Sequence, residues 1–78
     1  MKFKTKISTP ESHDGEYAYI IVEAVRTGRR WISKDLMDTG NAAEEAMIIE
    51  EMINDGVKLH KHAWHEMDRA GNIIYHAH

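Results

Sequence analysis

Apolar residues recur with the period of an α-helix between Asn41 and Asn54. The repeating positions are i, i+4, i+7 and i+11, and they are occupied by Ala42, Ala46, Ile49 and Ile53. This spacing places the side chains on one stripe of a helix, where they can pack against a core. Asn41 with Glu44 fits a capping box, and Asp55-Gly56 offers a residue that is free to adopt positive φ at the end. The pattern therefore predicts one amphipathic helix over 41–54.

The stretch from Lys2 to Ser8 alternates strictly between polar and less polar positions. A strand here would direct two sets of side chains to opposite sides, Phe3, Thr5 and Ile7 to one and Lys2, Lys4 and Lys6 to the other. Alternation with a period of two is typical of a half-buried strand, and lysines discourage unwanted pairing at a sheet edge. We therefore expect a first strand at one edge of a sheet.

A second strand and a return strand are predicted from Tyr17 to Val25 and from Arg29 to about Asp35. Aromatic and β-branched residues favour the strands, and Gly28 closes the turn between them in a conformation that favours glycine. The expected register pairs Val22 with Ile32 and Glu23 with Trp31. It places Ala18, Ile20, Val22, Ala24 and Ile32 on the core side, and Tyr17, Tyr19, Ile21, Glu23 and Trp31 on the outer side.

The segments 57–67 and 73–78 predict a second hairpin around the turn 68–72. Its expected register sets His62 opposite His78 and Trp64 opposite His76. The more apolar face is assigned to the core and comprises Leu59, Ala63, His65, Met67, Ile73, Tyr75 and Ala77. The element order is then β-β-β-α-β-β. It predicts a single α+β domain over residues 1–78, with one helix packed on one face of an antiparallel sheet of about five strands.

The composition excludes several classes of protein. The chain has no cysteine, which excludes disulfides, thiol nucleophiles and cysteine-ligated zinc. Its formal charge of −3 argues against a bulk nucleic-acid binder. There is no glycine-rich phosphate loop or serine elbow, so we expect a non-enzymatic protein without a cofactor. The chain shows no signal-peptide pattern and no membrane-spanning apolar run, which favours a cytoplasmic protein.

The far side of the predicted helix is the leading candidate for a binding surface. On a helical wheel, Glu44, Glu51 and Asp55 cluster opposite the core stripe, with Met47 and Ile48 beside them. An apolar pair ringed by carboxylates resembles an interface centre with a charged rim. Such a surface could complement a basic groove on another protein. The alternative is a solvated acidic face with Ile48 covered by a loop.

The outer sheet face offers a second candidate surface. In the expected register it combines the aromatic residues Tyr17, Tyr19, Trp31 and Trp64 with the bases Lys2, Lys4, Lys6 and Arg29. Exposed aromatic side chains on a sheet can form a protein contact or the core of a homodimer. Aromatic rings interleaved with bases can also stack single-stranded nucleic acid. The negative net charge favours the protein contact over nucleic acid.

Five of the six histidines lie between His60 and His78. The expected register gathers His60, His62, His76 and His78 on one face with Trp64. Two His-x-His units on neighbouring strands can bind zinc, copper or nickel through imidazole. A solvated face that tolerates histidine is the favoured interpretation, because the two-residue spacing is unspecific. No metal site is therefore predicted, and these four histidines are the candidates for one.

The order of short strands followed by an Ala- and Glu-rich helix resembles small antitoxins of the HicB type. The segment from Asn41 to Ala46 is similar to the start of that family's helix, which follows three strands in a β-β-β-α-β core. The strand before it lacks the family's glycine-containing stretch. The small size, the acidic helix and the missing cofactor motif are also similar in kind to those of phage-encoded inhibitors such as anti-CRISPR proteins.

These observations favour a small protein-binding module, an inhibitor or regulator of the phage or mobile-element anti-defence type. It would act by occupying the surface of a partner protein. The alternatives are a sheet face that binds single-stranded nucleic acid and a histidine-rich metal site. Homodimerisation through either apolar surface is compatible with all three hypotheses.

Overall fold

A computed structural model describes residues 2–10 and 15–74 of the chain. Within these ranges the elements are β1 (Phe3–Ser8), β2 (Tyr17–Ala24), β3 (Arg30–Ser33), β4 (Met37–Asp38), α1 (Thr39–Asn54), β5 (Trp64–Met67) and β6 (Ile73–Ile74). The strands form an antiparallel sheet in the order β1-β2-β3-β5-β6, and β4 pairs with the start of β2. The helix packs on one face of this sheet, which confirms the predicted α+β fold. The other face is called the open face below.

Strand β1 lies at one edge of the sheet, as its alternation predicts. Thr5 lies opposite Val22, and Ile7 lies opposite Ile20. Directly opposed residues of antiparallel strands share a face, so these side chains of β1 extend the core side of β2. The lysines of β1 point to the open face and are exposed.

The turn between β2 and β3 has the predicted chemistry. Gly28 adopts a φ of 75°, and its N–H donates to the carbonyl of Ala24 at 2.8 Å. The N–H of Ala24 in turn donates to the carbonyl of Arg29, also at 2.8 Å. These two hydrogen bonds fix which residues of the two strands face each other.

The resulting register differs by one residue from the predicted one. Val22 lies opposite Trp31 rather than Ile32, and Ile32 lies opposite Ile21. Because strand side chains alternate, a shift of one residue moves every side chain of β3 to the other face. The predicted faces of Trp31 and Ile32 are therefore wrong. Trp31 lies on the helix side of the sheet, and Ile32 lies on the open face.

Strand β3 ends at Ser33, and the chain returns to β2 through β4. The buried hydroxyl of Ser33 accepts a hydrogen bond from the Ile20 N–H at 2.9 Å and donates to the Asp35 carbonyl at 3.2 Å. The Ser33 side chain thus provides a hydrogen-bond partner for a backbone N–H of β2 at the point where β3 ends. The segment 36–40 lies between the predicted strand and the predicted helix, and it contains β4 and the first residues of the helix.

The helix begins at Thr39, and its N-cap is Asp38 rather than the predicted Asn41. A carboxylate oxygen of Asp38 accepts from the Asn41 N–H at 3.3 Å, so Asn41 lies inside the first turn. At the other end Gly56 adopts a φ of 97°, as its position predicts. The N–H groups of Gly56 and Val57 donate to helix carbonyls at 3.0 and 3.1 Å, the pattern of a Schellman cap.

The corrected N-cap makes a testable difference. We expect Asp38→Ala to lower the free energy of unfolding by about 1 kcal/mol, because it removes a capping acceptor. Asn41→Ala should change it by less than about 0.5 kcal/mol, because the Asn41 side chain caps nothing in the described structure. Urea denaturation followed by circular dichroism measures both. A larger loss of stability in Asn41→Ala than in Asp38→Ala would indicate that Asn41 is the N-cap.

The predicted apolar stripe of the helix is confirmed. Ala42, Ala46 and Ile53 are buried, and Ile49 packs partly buried against the same core. The two alanines meet Ala18 and Ile20 of β2. Small side chains on both elements let the helix lie close to the sheet.

Two further helix side chains hold the outer edge of β1. The carboxamide of Asn54 accepts from the Phe3 N–H at 2.8 Å and donates to the Phe3 carbonyl at 3.1 Å. A carboxylate oxygen of Glu50 accepts from the Thr5 N–H at 2.7 Å. These side chains occupy backbone groups that a neighbouring strand would otherwise pair with, which protects the edge.

The second hairpin is shorter than predicted. The pairs Glu66–Ile74 and Met67–Ile73 belong to the predicted register. However, β5 begins only at Trp64, and the segment 57–63 forms turns and irregular structure rather than strand. The predicted pairs that include His76 and His78 lie outside the described residues.

The predicted faces of the second hairpin are reversed. Trp64 lies opposite Ser33 and packs against the core cluster on the helix side. His65 lies opposite Ile32 on the open face, and by alternation Met67 and Ile73 lie there as well. The error arose because pairing of β5 with β3, which the sequence does not reveal, decides which side of β5 meets the helix.

Candidate binding surface on the outer face of the helix

The side of α1 that points away from the sheet exposes three large apolar side chains. Met47, Ile48 and Met52 are 74%, 45% and 44% exposed. Ile48 and Met52 are neighbours at i and i+4, whereas Met47 lies about 100° from Ile48 around the helix axis. The other large exposed apolar residues of the described ranges, Tyr17, Val25, Val57 and Ile73, are scattered over different elements. Clustering of exposed apolar side chains is a feature of interaction sites.

Four carboxylates flank Ile48 and Met52 at helical spacings of three, four or seven residues. Glu44, Glu45, Glu51 and Asp55 are all exposed, and α1 contains no lysine or arginine. The ion pairs within residues 2–10 and 15–74 are Lys4–Glu23 and Arg29–Glu66, so none of the four is neutralised by a neighbour there. We call these four residues together with Met47, Ile48 and Met52 the outer helix face.

The remaining glutamate of the helix has a different role. Glu50 points toward β1 and accepts hydrogen bonds from the N–H of Thr5 at 2.7 Å and from its hydroxyl at 3.4 Å. Its carboxylate is therefore used within the fold. Glu50 therefore stabilises the fold, whereas the other acidic residues of the helix face solvent.

The five residues predicted for this surface, Glu44, Met47, Ile48, Glu51 and Asp55, are all exposed in the structure. Two members of the outer helix face were missed, Glu45 and Met52. The signal for Met52 was present in the sequence, because it follows Ile48 by four residues and must lie beside it on a helix. An apolar centre with an acidic rim suits a basic, partly apolar surface of another macromolecule.

The predicted aromatic surface on the sheet is divided between two faces. Tyr17 and Tyr19 lie on the open face, where Tyr17 is exposed and Tyr19 half-buried. Trp31 and Trp64 lie on the helix side, for the reasons of register given above. The four aromatic rings therefore do not form the stacking platform that the sequence suggested.

Arg29, one of the bases predicted for that surface, is engaged with neighbouring side chains. Its guanidinium carbon lies 5.1 Å from the centre of the Trp31 ring, and its nitrogens donate to both carboxylate oxygens of Glu66 at 3.1 and 3.0 Å. The hydrogen bonds and the charge of Glu66 raise the pKa of Arg29 above its ordinary value. On the open face, Lys4 lies 3.6 Å from a carboxylate oxygen of Glu23. Both contacts reduce the basic character expected of a nucleic-acid interface.

The candidate metal ligands fall in two regions. His60 and His62 lie in the irregular segment before β5, with ring centroids 5.3 Å apart, and the His62 N–H donates to Nδ1 of His60 at 3.3 Å. His76 and His78 are outside the described residues. Among the residues that are described, no group of three or more His, Asp or Glu side chains could hold a metal ion.

No helix of the described ranges combines the length and apolar character needed to cross a membrane. No known protein family, curated protein or solved structure matches the chain.

Proposed function

We propose that the protein is a non-enzymatic binding module that inhibits or regulates a partner protein by occupying a basic part of its surface. The outer helix face is the contact. The observation that carries this proposal is the exposed pair Ile48 and Met52 flanked by carboxylates without an ion-pair partner among the described residues, with Met47 exposed beyond them. A helix that needed only solubility would carry polar side chains at these positions and basic residues among the acids.

The apolar and charged parts of this surface would contribute in different ways. Ile48 and Met52 form its centre, where removal of water from apolar side chains supplies most of the binding free energy. The acidic rim accelerates association with a basic partner and selects against acidic ones. The helix is held in position before a partner binds, because its N-cap at Asp38 and the contacts of Glu50 and Asn54 with β1 fix it.

The charge of the rim defines the class of partner. A row of carboxylates complements a groove rich in lysine and arginine, including one that normally holds nucleic acid. Occupation of such a groove would block nucleic-acid binding without any chemistry, which is the mode of action expected of an anti-defence inhibitor. The proposal places the protein in the cytoplasm, where such partners act.

Charge and size changes on the outer helix face test the proposal. We expect Ile48→Asp to weaken partner binding by about 30-fold or more, because it places a charge at the centre of the contact. Glu51→Lys should weaken binding by about tenfold through repulsion from a basic partner. A pull-down from lysate of the source cells, with and without nuclease, identifies the partner, and titration of that purified partner measures affinity.

Two matched variants control for general effects of charge. Val25→Asp alters a valine that is 47% exposed on the turn between β2 and β3, and Glu16→Lys makes the same charge reversal outside the helix. Both should bind like the unmodified protein. Full affinity in Ile48→Asp and Glu51→Lys would remove the helix face from the proposal. Capture that disappears with nuclease would redirect it to nucleic acid.

A further inference from the structure

A groove of about 400 Å³ opens between the carboxyl end of the helix and the sheet. Its apolar walls are Phe3 and Trp31 from the sheet, Ile53 from the helix, and Val57 and Leu59 from the segment that follows. The rings of Phe3 and Trp31 are 6.4 Å apart between centroids and inclined by 55°. Its volume lies within the range of small-molecule sites, roughly 300–1,000 Å³. We call it the Phe3–Trp31 groove.

Separate contacts hold each wall of this groove in place. Asn54 binds both backbone groups of Phe3, as described above. The Val57 N–H is held by the Met52 carbonyl at 3.1 Å, which fixes the chain just after the helix. Trp31 lies under Arg29, which Glu66 holds in turn. The groove therefore exists before any ligand arrives, and binding requires little reorganisation.

The side-chain groups that the groove leaves available to a ligand are donors. Lys58 is the charged side chain among the lining residues, and no carboxylate of the described residues pairs with it. Asn54 donates one of the two N–H bonds of its carboxamide to Phe3, which leaves the second for another acceptor. An apolar groove with two neighbouring aromatic rings in its wall, bordered by a cation and an amide donor, is complementary to a flat apolar anion.

We propose that the Phe3–Trp31 groove binds a small aromatic carboxylate. The ring of the ligand lies against Phe3 and Trp31, and its carboxylate lies at the opening, where it accepts from Asn54 and faces Lys58. This site is separate from the outer helix face and does not depend on the function proposed for that face. A neutral aromatic ligand gains the same apolar contacts but loses the interaction with the cation.

The probe for this site is 2-naphthoate, added to the full-length ¹⁵N-labelled protein and followed by two-dimensional NMR. We expect the indole N–H signal of Trp31 and the amides of 56–59 to shift together, with a dissociation constant on the order of 1 mM. The Trp64 indole signal should stay unchanged, because Trp64 packs in the core away from the groove. A Trp31→Phe spectrum assigns the two indole signals. No shifts, or shifts spread evenly over the surface, would overturn the site.

Two lysine variants separate the anion preference from simple apolar binding. Lys58→Gln should raise the dissociation constant for 2-naphthoate roughly two- to fivefold, the range of an exposed charge interaction. Lys34→Gln, at an exposed lysine outside the groove, should leave it unchanged. Neutral 2-naphthylmethanol should bind both variants equally. An unchanged affinity for 2-naphthoate in Lys58→Gln would overturn the assignment to a carboxylate.

Discussion

Replacement of Ile20 by alanine is expected to lower the free energy of unfolding by about 2–5 kcal/mol. Ile20 is fully buried and lies in the cluster where Ala42 and Ala46 of the helix meet the sheet. Removal of three carbon atoms there loses apolar burial and leaves a cavity that the helix cannot fill without moving. A domain of 78 residues has a total stability of about 4–12 kcal/mol, so this variant is close to unfolding.

The matched control is Ile48→Ala on the outer helix face. It makes the same chemical change at a side chain that is 45% exposed, and it should cost less than about 1 kcal/mol. Urea denaturation followed by circular dichroism gives both values. Equal costs for the two variants would mean that the helix does not rest on Ile20.

The second large effect is expected for Glu50→Ala, which should destabilise the protein by about 1.5–3 kcal/mol. The Glu50 carboxylate accepts from the Thr5 N–H at 2.7 Å in a partly buried position. Its removal leaves that N–H without its partner and removes one of the two helix side chains that hold the edge of the sheet. The exposed edge of β1 should then promote self-association, which sedimentation at rising protein concentration detects.

The neighbouring residue provides the control. Glu51→Ala makes the same substitution one position along the same helix, at an exposed site on the outer helix face. It should change stability by less than about 0.5 kcal/mol. Similar costs for Glu50→Ala and Glu51→Ala would show that the contact with Thr5 contributes nothing to the fold. Together the two variants test whether Glu50 stabilises the fold while Glu51 is a surface residue without a structural role.

Features encoded by local pattern were predictable. The apolar stripe of Ala42, Ala46, Ile49 and Ile53 indicates the buried side of a helix, and this does not depend on which element the helix packs against. The alternation in β1 indicates a half-buried strand. Gly28 and Gly56 indicate positive φ, at a turn and at the end of the helix. The exposed positions of the candidate site, including Ile48 and Glu51, followed from the same wheel.

Features that depend on the neighbouring strand were not predictable in this way. The hydrogen bonds around Gly28 shift the β2–β3 register by one residue, which exchanges Trp31 and Ile32. The pairing of β5 with β3 turns Trp64 toward the helix, whereas its own alternation allows either face. These two differences explain why the expected aromatic surface is divided. The N-cap moved to Asp38 because β4 extends the chain up to the helix.

The sequence by itself determined the one helix, the five strands of the main sheet and their order along the chain, the buried side of the helix and therefore its acidic outer side. These depend on the spacing of residues along one segment, and a period of two or 3.6 survives any choice of partner. Only the tertiary structure decided which face each strand presents to the helix, and it alone formed the Phe3–Trp31 groove. Such features depend on hydrogen bonds between segments distant in sequence, where a slip of one residue inverts a strand without changing its pattern.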